Sequence, residues 1–113
     1  MPVMIDEMEI LQRYVDTVMK RVAHHAGNVG SIALAILGAV IWRAQSGTIR
    51  VRPYKNQLGN VLHFTCNGVD YVFRYEHATQ EIQMLRDGLG GTMLHTFSNS
   101  TPITDVEMVF HAL

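Results

Sequence analysis

The chain has 113 residues, of which 48% are hydrophobic and 17% charged, and its formal net charge is −1. This length predicts a single domain over 1–113 that buries roughly two thirds of its unfolded surface, and the composition excludes a disordered chain. The near-zero charge argues against an electrostatic nucleic-acid binder, and the presence of a single cysteine, Cys66, excludes an intramolecular disulfide.

The first part of the chain has the apolar spacing of an amphipathic helix. Apolar residues step by four and three positions, which is an a/d pattern: Met4, Met8, Leu11, Val15, Val18 and Val22. Acidic residues lie early and basic residues late, an order that complements the helix dipole. We therefore predict a helix over 5–25. The early acidic residues also argue against a secretory signal, so the expected localisation is cytoplasmic.

The stretch 27–44, GNVGSIALAILGAVIWRA, is almost wholly apolar until Arg43. It is too short to span a membrane, which takes about 20 apolar residues. The pattern predicts a second helix that is capped by Asn28 or Ser31, buried on nearly every side, and antiparallel to the first helix. Its glycines do not indicate a phosphate-binding loop, because the preceding strand and the lysine of such a loop are missing.

From residue 48 onward the helical spacing gives way to the alternation that is typical of strands. Strands are expected at 48–54, 60–66, 69–76, 81–86 and 92–98. Asn67-Gly68 predicts a type I′ hairpin turn, and a four-residue loop follows at 77–80. The resulting register pairs Cys66 with Val69, Phe64 with Tyr71, Leu62 with Phe73, Tyr75 with Ile82, and Phe73 with Met84.

The end of the chain predicts one more helix. Thr101 can cap it, Pro102 suits its first position, and apolar residues follow at helical spacing: Ile103, Val106, Phe110 and Leu113. The expected fold is α+β, with an N-terminal antiparallel helix pair, a meandering antiparallel sheet of four or five strands, and a short C-terminal helix.

One candidate site is the outer face of the sheet. The alternation places charged, polar and aliphatic residues there together: Arg50, Arg52, Val61, His63, Thr65, Asp70, Val72, Arg74, Glu76, Gln83, Leu85 and Leu94. Aliphatic residues rimmed by arginine are typical of contact surfaces. We therefore expect an interface at Val61, Val72, Leu85 and Leu94, unless the C-terminal helix covers them.

The other candidate is an apolar small-molecule pocket formed by a curled sheet. The expected ligand-binding residues line it or stand at its mouth: Trp42, His63, Tyr71, Phe73, Arg74, Tyr75, Met84 and His95. No catalytic residue is assigned, because no acid–base pair is evident, and Cys66 is expected to be buried. His24 and His25 are adjacent and the chain has no CxxC, HxxxH or HExxH spacing, so neither a metal nor a cofactor is expected.

Taken whole, the chain resembles the small single-domain proteins encoded by bacterial integron gene cassettes. The likeness lies in the short chain, the N-terminal helical pair and the hairpin pattern CNGVDYVFRYEHATQEIQML. It implies a homo-oligomer with pockets of unassigned purpose, and it carries no catalytic residue onto this chain.

We expect a non-enzymatic, homo-oligomeric binding or protein-interaction module, a dimer or larger. A small molecule or another protein are further partners to consider, and nucleic acid and membrane are not expected. One alternative is a small-ligand-binding or enzymatic α+β domain that uses the aromatic pocket. Another is an antitoxin-like inhibitor of a different protein, which would use the same apolar surfaces.

Overall fold

The computed structural model describes residues 12–13, 15–16, 19–20, 29–54 and 57–113. The elements in chain order are helix α1 (Gly30–Arg43), strands β1 (Arg50–Tyr54), β2 (Gln57–Cys66), β3 (Val69–Glu76), β4 (Glu81–Arg86) and β5 (Thr92–Phe97), and helix α2 (Ile103–His111). The strands form one antiparallel sheet in the order β1-β2-β3-β4-β5. The predicted α+β class, meandering sheet and C-terminal helix are confirmed.

Most of the first predicted helix, over 5–25, lies outside the described residues, and so does the predicted cap Asn28. The six residues described in this range are helical. Asp16 and Lys20, one turn apart, form an ion pair at 2.8 Å, and the hydrogen bond to Asp16 raises the pKa of Lys20 above its usual value. The predicted antiparallel packing of this helix against α1 likewise falls outside the described residues.

The turn at Asn67 and Gly68 determines the register of the sheet. Both residues have positive φ, 50° and 77°, as a type I′ turn requires. Every predicted pair is observed: Cys66 with Val69, Phe64 with Tyr71, Leu62 with Phe73, Tyr75 with Ile82, and Phe73 with Met84. Because side chains alternate between the two faces along a strand, this register directs all of these residues to one face, the inner face.

Both helices pack on the inner face. The core contains buried side chains from both of them, from the residue before α1 and from four strands: Val29, Ile32, Ile36, Val40, Leu62, Phe64, Cys66, Tyr71, Phe73, Met84, Phe97, Val106 and Phe110. The ring of Phe110 stacks on Phe64 and Phe73, with ring centroids 6.1 and 5.7 Å apart. Cys66 is buried as expected. The C-terminal helix therefore covers the inner face of the sheet, and not the outer one.

The helix caps differ from the expectation. Ser31 lies inside α1 and is exposed, and it is Asn99 that caps the helix: its Oδ1 accepts a hydrogen bond from the Ile32 N–H at 3.1 Å. Thr101 does not cap α2, because Pro102 occupies the N-cap position and no side chain makes a cap bond there; the Thr101 hydroxyl instead accepts a hydrogen bond from the backbone N–H of Ser98 at 3.0 Å. For α1, the cap therefore comes from the loop after β5.

Candidate functional site

Helix α1 is apolar on two opposite faces. One face packs in the core. On the other face Leu34, Ile41 and Trp42 are 52%, 53% and 54% exposed, and Gly38, which lies among them, is also exposed. No charged residue interrupts the helix before Arg43. The prediction that this helix is buried on nearly every side is therefore wrong, because the sheet covers only one side of it. Neither described helix is long and apolar enough to span a membrane.

A groove runs beside this exposed face, between α1 and α2. Its volume is about 470 Å³, and residues of both helices line it: Ala35, Gly38, Ala39, Trp42, Ile103, Thr104, Val106 and Glu107. Ile103 is among the most exposed large apolar residues of the described chain. The groove is thus largely apolar, with one hydroxyl and one carboxylate at its wall.

Trp42 is held at the end of the groove by polar neighbours. The guanidinium of Arg43 lies 5.5 Å from the centre of its ring, and the ring of His111 meets it edge-on with centroids 6.2 Å apart. Arg43 also donates from Nη2 to the carbonyl of Leu113 at 2.7 Å, which ties the end of α1 to the end of α2. These contacts orient an indole that is 54% exposed at the surface.

The aromatic residues predicted to line a ligand pocket lie mainly in the core. Tyr71, Phe73 and Met84 are buried there, because side chains of α1 and α2 fill the space over the inner face. Tyr75 is half-buried against the core, whereas Trp42 is on the surface of α1.

The polar residues predicted at the mouth of that pocket are separated from it. His63 and Arg74 lie on the outer face, since they pair with Val72 and Val61. His95 is exposed on β5, with its ring 6.0 Å from that of Phe97. The predicted set does not line one cavity among the described residues, and ligand binding at these positions stays a prediction.

Three of the four predicted interface residues lie on the outer face, as their register indicates. Val72 pairs with Leu85, and within a single chain the two are only 0% and 3% exposed. Val61 is half-buried beside them. Their role in an interface stays a prediction, but they do not form an open apolar surface.

The fourth residue, Leu94, is displaced by an irregularity in the ladder. Leu85 pairs with Met93, whereas the preceding Met84 pairs with His95, so Leu94 is an extra residue of β5. Such a bulge interrupts the alternation of side chains. Leu94 packs against the core cluster, and Met93 takes the outer face, so the predicted position of Leu94 was wrong.

The exposed face of α1 could not be predicted from the sequence, because a continuous apolar run is the same whether one side or both sides of the helix are covered. Small residues in the run, Ala35, Gly38 and Ala39, were the available signal, because they cannot fill a core well. Ile103 shares the helical spacing of Val106 and Phe110, but it is exposed at the start of α2.

The groove offers little to catalysis or metal binding. Among the described residues that line it, Glu107 alone is ionisable, so these residues provide no paired acid and base. Within the described part of the chain, no three His, Cys, Asp or Glu side chains gather closely enough to hold a metal ion. His24 and His25 lie outside the described residues, and the expectation that no metal is bound stays a prediction.

Comparison with known proteins gives one clear result. A family model described as "Integron cassette protein VCH_CASS1 chain" matches residues 11–107. No curated protein matches the sequence. The matched range includes α1, all five strands and the first half of α2, so the likeness extends over the fold described above. The chain therefore belongs to the integron cassette protein VCH_CASS1 family, in agreement with the resemblance seen in its sequence.

Proposed function

We propose that this protein is a homo-oligomeric interaction module whose copies contact one another through the exposed face of α1 and the adjoining groove. The observation that carries the proposal is that Leu34, Ile41 and Trp42 are each more than half exposed on one helix without a charged residue among them. Contiguous exposed apolar patches on soluble proteins usually mark contact sites.

Gly38, in the middle of this face, supports the same proposal. A glycine in a helix interior costs about 1 kcal/mol relative to alanine, and a Cβ atom at Gly38 would meet nothing within 4 Å. Packing within the single chain therefore does not require a glycine here. The close approach of a second helix would require a small residue here, because the distance between two packed helices depends on the side chains at their contact.

A second copy of the chain is a suitable occupant because the face carries no charge of its own. A two-fold interface brings the same patch of both subunits together, and like charges would oppose this contact if the patch held any. Arg43 and Glu107 lie at its border, where interfaces usually have a polar rim.

Light scattering coupled to size exclusion tests the proposal on the full chain. The wild type should have a mass that is a multiple of 12.7 kDa, whereas Gly38→Arg and Ile41→Arg should be monomers with unchanged circular dichroism. Met93→Arg is the matched control, because Met93 is as exposed as Ile41 but lies on the outer face of the sheet. It should assemble like the wild type.

Two results would contradict the proposal. A wild-type mass of 12.7 kDa at every concentration would exclude self-association. Normal assembly of Gly38→Arg and Ile41→Arg would exclude the α1 face, and dissociation of Met93→Arg in the same experiment would place the interface on the outer sheet face instead. Emission of Trp42, the only tryptophan, gives a second measurement: it should shift to the blue as the wild type assembles on concentration.

The size of the groove favours small-molecule binding as a second candidate function. Its volume of about 470 Å³ lies within the roughly 300–1,000 Å³ that is usual for ligand sites. Trp42 would form an aromatic wall, and Thr104 and Glu107 would supply polar contacts. A compound that changes Trp42 emission in the wild type, but not in Gly38→Arg, would support this function, and a screen without such a compound would count against it.

A further inference from the structure

The centre of the outer sheet face is buried, although α1 and α2 both pack on the inner face. Val72 and Leu85 pair directly across β3 and β4, and their exposures of 0% and 3% are those of core residues. Neither belongs to the core cluster. An antiparallel sheet that is covered on one face only leaves the side chains of the other face in water, so the outer face has a cover of its own.

The pattern of burial gives the extent of this cover. Around Val72 and Leu85, the outer-face residues of β2, β3 and β4 are half-buried, including long polar ones: Val61, His63, Thr65, Arg74, Glu76, Glu81 and Gln83. Outer-face residues nearer the margins are exposed: Arg50, Asp70, Met93 and Thr96. Arg74 donates to Gln83 at 2.8 Å, which shields part of the centre. The buried and half-buried residues form a strip across β2, β3 and β4, and this strip is about as wide as one helix.

One described part of the chain has a matching apolar side. In the helical residues between 12 and 20, Val15 and Met19 are half-buried and one turn apart. The other four of these residues, Gln12, Arg13, Asp16 and Lys20, are exposed. A helix with burial on one side only packs that side against another element.

We propose that the segment containing Val15 and Met19 is the cover of the outer face, with these two side chains over Val72 and Leu85. The helix predicted over 5–25 would be about 31 Å long at 1.5 Å per residue, and five strands at about 4.8 Å spacing extend over about 19 Å. The segment is therefore long enough to cross the sheet.

Charge does not oppose this contact, because both surfaces carry both signs. The segment has acidic residues in its first half and Arg13, Asp16 and Lys20 later, and the outer face has Arg50 and Arg74 beside Asp70, Glu76 and Glu81. With this cover the sheet lies between two helical layers, the predicted antiparallel packing of the first helix against α1 is replaced, and the exposed face of α1 is left for partners.

Alkylation of a cysteine introduced on the outer face tests this inference in the full chain. Leu85→Cys creates a thiol under the proposed cover, and the native Cys66 reports on the inner face, where it is buried. Iodoacetamide labelling of each site is read from peptide masses. Adding Val15→Asp and Met19→Asp should raise the labelling rate at position 85 about tenfold or more while Cys66 stays protected, because a buried thiol reacts only when its surroundings open.

The matched control places aspartate at two exposed positions of the same segment, Gln12→Asp and Lys20→Asp, and should leave both rates unchanged. Unchanged protection at position 85 in the Val15 and Met19 variant would overturn the inference. An equal rise at Cys66 would overturn it as well, unless the milder pair Val15→Ala and Met19→Ala raises the rate at position 85 alone. Protection that is lost on dilution would show that a second copy supplies the cover, which also overturns it.

Discussion

Truncation of Phe110 to alanine should show how strongly α2 is held on the sheet. Phe110 is fully buried, and its ring stacks on Phe64 and Phe73. The substitution removes those ring contacts and leaves a cavity that the neighbouring rings and helices cannot fill completely. A loss of about 3–5 kcal/mol is expected for such a change, which is a large part of the roughly 5–15 kcal/mol that stabilises a typical domain.

Urea unfolding followed by circular dichroism measures this loss, at one protein concentration because assembly would change the apparent stability. In thermal unfolding of the same variant, Phe110→Ala, the melting temperature should fall by about 10–20 °C. Met108→Ala is the control on the same helix: Met108 is exposed, so the change should stay within about 0.5 kcal/mol. Equal effects of the two variants, or a loss below about 1 kcal/mol for Phe110→Ala, would refute the packing of α2 on the inner face.

Three further outcomes are expected. Gly91→Ala should lower the free energy of unfolding by about 1–3 kcal/mol, because its Cβ would collide with the carbonyl of Arg86; Gly90→Ala, which has open space, should have little effect in the same urea titration. Gly68→Val should cost about 1–2 kcal/mol, because φ of 77° suits glycine and not a β-branched residue, and an unchanged melting curve would contradict the turn type. EDTA should leave the melting temperature unchanged, since a structural zinc site would contribute its binding free energy to folding; a fall that zinc reverses would show a metal site.

The sheet was predictable from the sequence because its register depends on local signals. Asn67 and Gly68 are adjacent and adopt the backbone conformation that a two-residue turn requires. Once that turn is placed, the two-residue period of a strand determines which side chains share a face, and Phe64, Tyr71 and Phe73 follow directly.

The candidate site was less predictable because its signals are not local. An apolar run such as that of α1 indicates a helix, but only its packing shows that Ile36 is buried while Leu34 and Ile41 are exposed. Alternation similarly predicted the wrong face for Leu94, because Leu94 is an extra residue in a bulge and no local sequence pattern indicates that bulge.

The amino-acid sequence by itself determined the order of the elements from α1 to α2 and the division of β2, β3 and β4 into two faces, because hydrophobic periodicity and turn residues act over a few positions. Only the tertiary structure decided what each face contacts. The cap of α1 comes from Asn99, which is 67 positions away from the Ile32 N–H that it accepts, and α2 lies over Phe64 and Phe73 rather than on the opposite face. Such contacts join residues that are distant in the chain, and their energies depend on the packing of complete surfaces, which a pattern of single residues does not encode.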